Sequence, residues 1–186
     1  MQDIFKISIH NQDLNYLKKK QLILTIKKIK NNKGRYLSNF TGYQSYDLKI
    51  KEFEDLIKCV ELEANKYSKE LGISKKLTVC NFWLNINKYK DSNVVHNHPH
   101  SILSGVYYVN VPEKSGRIVF RNPTISYLGS FWPDKIMSIF NNNNSSLWKI
   151  DPKDDLLLIF PSWLEHFVEP SLNVKKDRIS IAFNLK

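Results

Sequence analysis

Apolar residues between positions 50 and 72 recur at steps of three and four: Phe53, Leu56, Ile57, Val60, Ala64, Tyr67 and Leu71 fall on one face. That is the period of an amphipathic helix. Glu52, Glu54 and Asp55 near its start suit the positive end of the helix dipole, and Gly72 reads as its stop. A less regular stripe predicts an earlier helix, roughly Asp13 to Lys30. The intervening Asn31–Gly42 is rich in Asn, Gly and Ser and reads as a linker with turn character.

From Leu77 the period shortens to two. Leu77, Val79 and Trp83 alternate with Thr78, Cys80, Phe82 and Leu84 in one long strand. Short strands are predicted over Ile102–Val111, Arg117–Phe120, Leu147–Ile150, Leu156–Phe160, Trp163–Val168 and Arg178–Asn184, separated by turn signals at Pro112–Gly116, Asn141–Ser146 and Asp151–Pro152. Ser126–Ser146 reads as a loop. Helices first and strands afterwards predict an α+β chain: a sandwich or closed barrel with the N-terminal helices packed outside one sheet. The 186 residues suffice for one domain with a substantial core, with residues 1–76 as mainly helical support and 77–186 as the β core.

Composition narrows the class. An apolar fraction of 42% excludes global disorder. The longest apolar run, Leu156–Pro161, is strand-sized and far short of a membrane span. Met1–His10 lacks the pattern of a secretory leader, and two cysteines, Cys59 and Cys80, make no disulfide framework. The expected location is the cytoplasm. A net charge of +10 invites a nucleic-acid reading, but 24 of the 28 basic residues are Lys. The planar fork of Arg, which reads bases and phosphates, is scarce. Residues 1–76 hold a net +7 of that charge, part of it in the runs Lys18–Lys20 and Lys27–Lys30. This describes a solvated Lys-rich face, and no nucleic-acid role is assigned from it.

The chemistry concentrates in rarer residues. Three of the five histidines occur in His96-Asn97-His98-Pro99-His100, and His166 lies far downstream near a predicted strand end. If the first cluster is extended, His96 and His98 share a face, and His166 could complete a three-imidazole face for Fe, Zn, Cu or Ni. The alternative is surface polarity, the reading kept for His10 and His100. Arg178 opens the apolar strand Ile179, Ile181, Phe183, which alternates with Ser180, Ala182 and Asn184. A guanidinium in a core strand needs a partner, for which a bound dicarboxylate is suited; otherwise Arg178 sits at an exposed strand start beside Asp177. Trp83 and Trp163 read as core.

The segments Trp83-Leu84-Asn85, His96-Asn97-His98-Pro99, Ser104-Gly105-Val106-Tyr107-Tyr108, Phe160-Pro161 through His166, and Arg178-Ile179-Ser180 together resemble the iron(II)/2-oxoglutarate-dependent dioxygenases. The likeness is to the prolyl-hydroxylase side of that superfamily and to small bacterial and phage oxygenases in it, and it spans about residues 36–186. The resemblance implies a double-stranded β-helix, or jelly roll, and an enzyme that uses Fe(II), 2-oxoglutarate and O2. Such an enzyme hydroxylates a C–H bond, of a small molecule or a protein side chain, with release of succinate and CO2. By position, His96 and His166 match the two iron histidines, Arg178 and Ser180 match the pair that holds the distal carboxylate of 2-oxoglutarate, Tyr108 falls where a hydroxyl joins them, and Asn85 lines the same pocket. His98 stands where most of the superfamily has Asp or Glu. With His there the iron gains no compensating negative charge, and His98 either ligates or leaves the third position to water. Asp154-Asp155 replaces a glycine turn of many relatives. A three-histidine cupin-like enzyme without 2-oxoglutarate, and a non-catalytic jelly-roll binding module, are the competing readings. A homodimer, and a bacterial host cytoplasm for a phage-encoded chain, are compatible with the likeness.

Overall fold

The computed structural model describes all residues except Met1–Ile4, Tyr16 and Lys18. The first four positions of the Met1–His10 reading and one member of the Lys18–Lys20 run therefore lie outside the described residues. Strand β1 (His10–Asp13) is followed by α1 (Lys19–Ile29), β2 (Tyr43–Gln44), a short 3-10 turn (Ile50–Phe53) and α2 (Glu54–Glu70). Then come β3 (Val79–Asn87), β4 (Asn93–His96), β5 (Leu103–Asn110) and β6 (Ile118–Arg121). The chain continues with α3 (Ile125–Phe131), a 3-10 turn (Asp134–Ile136), β7 (Leu147–Ile150), β8 (Leu156–Pro161), β9 (His166–Val168) and β10 (Arg178–Leu185).

Two antiparallel sheets result. Six strands run in the order β1-β8-β5-β10-β3-β2, and four in the order β4-β9-β6-β7. From β3 onward the chain crosses between the sheets at every step except β6 to β7, which is the double-stranded β-helix arrangement. Because side chains alternate along each strand, the large sheet divides its residues between two cores. Phe82, Leu84, Ile86, Tyr107, Leu157, Ile159, Ile181 and Phe183 face α1 and α2, where Leu22, Ile26, Leu56, Val60, Ala64 and Tyr67 cover them. Val106, Tyr108, Leu158 and Phe160 face the small sheet, against Ile118 and Phe120. The helices sit outside the large sheet, and the inter-sheet space is left for the site.

Leu56, Ile57, Val60, Ala64 and Tyr67 of the expected stripe are buried on α2 and Phe53 on the 3-10 turn before it, whereas Leu71 caps the helix and is exposed; Gly72 follows at φ +75°, a conformation that costs glycine least. The earlier helix is shorter than expected: His10–Asp13 joins the edge of the large sheet, pairing with Leu156–Ile159. The expected alternation in β3 is also corrected. Cys80 is an extra residue, since Asn184 pairs with Asn81 and Leu185 with Val79. This bulge reverses the faces, so Val79 joins Phe82 and Leu84 beneath the helices while Trp83 and Asn85 turn inward. Residues 125–131 form a helix instead of a loop, and the expected strand from Trp163 begins only at His166. Asp154 and Asp155 do more than bend the chain: they accept hydrogen bonds from the Val111 N–H (2.6 Å) and the Tyr107 hydroxyl (2.8 Å).

Candidate metal centre and cavity

His96 and His166 come from neighbouring strands of the small sheet and are paired directly in register. The β4–β9 register slips between Asn93 and His96, so β4 carries a bulge at Val94–Val95. That bulge lets the Val94 carbonyl accept the His96 Nδ1–H at 2.7 Å. His98 lies beyond the strand end, so the shared-face argument does not apply to it. It reaches the same point by another route: its backbone N–H donates to the Ser162 carbonyl (2.9 Å), which docks it on the turn between β8 and β9. The same turn supplies the Leu164 carbonyl that accepts His166 Nδ1–H at 2.9 Å. His98 Nδ1–H donates to Asn184 Oδ1 at 2.7 Å.

Backbone carbonyls only accept, so His96 and His166 carry their protons on Nδ1, as His98 does with Asn184 Oδ1 facing it; each ring then leaves its Nε2 lone pair free. Ligand atoms of the three lie within 4.8 Å of one another. Burial pushes His166 down to about 3 and His98 down to about 4, with further lowering from neighbouring imidazoles; burial also lowers His96, against the bond to Val94. All three are neutral near pH 7, the form that binds metals. The rings are held by neighbours: Trp83 stacks on His98 with centroids 5.7 Å apart, and Phe160 meets His166 edge-on at 4.7 Å. His98 Nε2 is buried and has no hydrogen-bond partner among the described residues. An orphaned buried acceptor is costly, and a cation seated between the three nitrogens removes that cost. The donor set therefore fits a transition metal such as iron.

Beside the histidines, one row of polar side chains crosses the floor of the cavity. Tyr108, Ser180 and Asn85 are register partners on β5, β10 and β3, and all line the cavity with the histidines. Arg178 sits two residues before Ser180 on the same face and is only 2% exposed, so the exposed-start reading is excluded. Its Nη2 donates to Asn87 Oδ1 (2.9 Å), and Nη1 is shared between the carbonyls of Ser115 (3.3 Å) and Gly116 (3.2 Å). Nε has no partner, and no carboxylate pairs with this guanidinium among the described residues. Neutral acceptors orient the fork without compensating its charge, which leaves it able to pair with an anion. Burial pushes the Tyr108 hydroxyl up to about 12, opposed by Arg178, which keeps it a neutral donor. Asn85 Oδ1 is also buried without a partner.

All seven residues named from the sequence thus line one cavity. His100 is exposed, whereas His10 is half-buried and bonded to Glu63 at 3.1 Å. Trp83 is buried but lines the cavity, and Trp163 is 55% exposed, so neither is plain core. Asn87, Asn184, Ser104 and Ser162 were not singled out. The signal for Asn184 was its place on the face shared by Arg178, Ser180 and Ala182.

No curated protein sequence matches the chain. Among solved structures, a prolyl-4-hydroxylase from Pseudomonas putida is 11% identical, with a TM-score of 0.65 over 96% of this chain and 92% of that one. A viral collagen prolyl hydroxylase of Paramecium Bursaria Chlorella virus-1, in its 2-oxoglutarate complex, is 13% identical (TM-score 0.60, 95% of this chain and 94% of that one). HygX from Streptomyces hygroscopicus, with nickel and 2-oxoglutarate bound, is 8% identical (TM-score 0.65, 96% and 82%). These likenesses establish the fold. The family described as "Putative 2OG-Fe(II) oxygenase" matches residues 81–184, more than half of the chain and nearly all of the β core. The chain therefore belongs to the 2OG-Fe(II) oxygenase family, as an enzyme that uses iron(II), 2-oxoglutarate and O2.

Proposed function

We propose that the chain hydroxylates a C–H bond of a small molecule or a protein side chain, with His96, His98 and His166 as the iron ligands. Arg178, Ser180, Tyr108 and Asn85 hold 2-oxoglutarate. The observation that carries this reading is the buried, carboxylate-free Arg178 in the same cavity as three converging neutral imidazoles. Bound there, iron(II) and 2-oxoglutarate supply the activation of O2 and the oxidation that releases succinate and CO2. The protein's own residues orient and exclude. Arg178 offers a planar fork to a carboxylate, with Ser180 and neutral Tyr108 as hydroxyl donors beside it. Trp83, Val106, Ile118 and Phe160 give the cavity apolar walls that limit water around the histidines.

The structural neighbours include a prolyl-4-hydroxylase and HygX with hygromycin B bound, which supports keeping both a protein side chain and a small molecule as targets. We further propose that the chain works as one domain, with residues 1–76 supporting the jelly roll. A cytoplasmic location is part of the same proposal, and Cys59 and Cys80 are both free thiols. The test is stoichiometric conversion of 2-oxoglutarate to succinate with Fe(II) and O2, abolished in Arg178→Ala and in His166→Ala. Metal binding without any 2-oxoglutarate turnover would favour the three-histidine cupin-like reading instead.

A further inference from the structure

His98 has an unusual support. Its Nδ1 meets a side-chain amide, Asn184, where the other two histidines meet backbone carbonyls. Asn184 Oδ1 also lies 2.7 Å from Ser104 Oγ, which is 2.6 Å from Ser162 Oγ. All three groups are buried, Ser104 fully. The proton directions follow from simple counting. An amide oxygen only accepts, so the one Ser104 hydroxyl proton goes to Asn184, and Ser162 must donate to Ser104. Both serine protons and the His98 Nδ1 proton then run toward a single oxygen.

A backbone carbonyl cannot turn round, but an amide can. With Nδ2 in place of Oδ1, Asn184 would donate to His98 Nδ1 and to Ser104 Oγ, and His98 would carry its proton on Nε2, the nitrogen that must be free for a metal. Ser104 opposes that orientation whenever Ser162 donates to it, because its own proton then needs Asn184 as acceptor. We propose that the Ser162–Ser104–Asn184 chain is a positioning device that selects the metal-ligating tautomer of His98. This deepens the proposed function and rests on His98 being the third ligand. The acceptor is neutral, so His98 receives less basicity from its support than a histidine backed by a carboxylate would.

The test reads the tautomer in metal-free protein, apart from metal binding or activity. Protein labelled with 15N at histidine, observed by long-range 1H–15N correlation near pH 7.5, should show His98 protonated at Nδ1 in wild type and in Asn184→Asp. Asn184→Leu should move His98 wholly or partly to the Nε2–H form, while His96 and His166 keep Nδ1–H. Co(II) affinity should fall about 10- to 100-fold in Asn184→Leu and be restored in Asn184→Asp. A thermal melt of each variant separates misfolding from tautomer loss, and Ser104→Ala offers a milder second route to the same shift. An unchanged His98 tautomer in folded Asn184→Leu and Ser104→Ala overturns the positioning role. If the tautomer shifts but Co(II) affinity is unaltered, the ligation of His98 is what fails.

Discussion

His96 and His166 are direct cross-strand partners on β4 and β9, with ring centroids 4.4 Å apart. Cross-strand partners on one face are the nearest neighbours a sheet offers, so two proposed ligands separated by 70 positions are held by a single backbone ladder. The third ring is held differently, on the β8–β9 turn and by an amide from β10. The two sheets of the jelly roll therefore meet at His98.

Arg178 gives the sharpest ligand prediction. Replacing it with Leu should weaken 2-oxoglutarate binding by roughly 2 kcal/mol or more, at least about thirty-fold, because a desolvated charge pair is lost. Arg178→Lys should recover only part, since an ammonium cannot make the planar fork. Anaerobic calorimetry with Fe(II)-loaded protein measures this. In ligand-free protein, Arg178→Leu should change the melt little, because the lost hydrogen bonds to Asn87, Ser115 and Gly116 are set against removal of a buried charge without a carboxylate partner.

Gly105 is fixed by packing. On β5, between Ile159 of β8 and Phe183 of β10, an added Cβ would press into the Leu158 carbonyl and the Phe183 ring. Gly105→Ala should cost about 1–3 kcal/mol, as overpacking does, and lower the melting temperature by several degrees. An unchanged melt would mean that β5 shifts to accommodate the methyl group.

Glu169 predicts a pH effect. It receives Arg117 (2.7 Å) and Lys149 (3.1 Å), tying β6 and β7 to the chain just after β9. These bonds, the one from Arg117 foremost, hold its carboxyl below the usual value of 4.5 against some desolvation. The folded state thus favours the ionised form. Its contribution is complete above about pH 4.5 and disappears as pH falls through the lower folded value. Glu169→Gln should cost about 1 kcal/mol or less at pH 7, given its partial exposure. The gap between the two melting curves should close in acid, and a gap independent of pH would contradict the assignment.

The legible parts of the sequence were those where one physical period dominates. The α2 stripe follows from burial on one face, β5, β8 and β10 from apolar runs buried almost throughout, and the cavity residues from rare chemistry on or beside β3, β4, β5, β9 and β10. What was hidden depends on tertiary context. The two-residue β2 and the edge strand β1 carry too few residues for a period to show. Residues 125–131 are helical with no buried side chain, so they have no stripe to read. The Cys80 bulge flips a face without leaving a mark in composition. His98 lies past the end of β4 and is hydrogen-bonded into the cluster by Ser162 and Asn184, contacts made far along the chain.

His96, His98, His166 and Arg178 are proposed to form one iron and 2-oxoglutarate site. Anaerobic addition of Fe(II) and 2-oxoglutarate, followed by visible absorption, tests it most directly. The expected result is a metal-to-ligand charge-transfer band in wild type that is lost in His166→Ala. No band in wild type, or an undiminished band in His166→Ala, would contradict the claim.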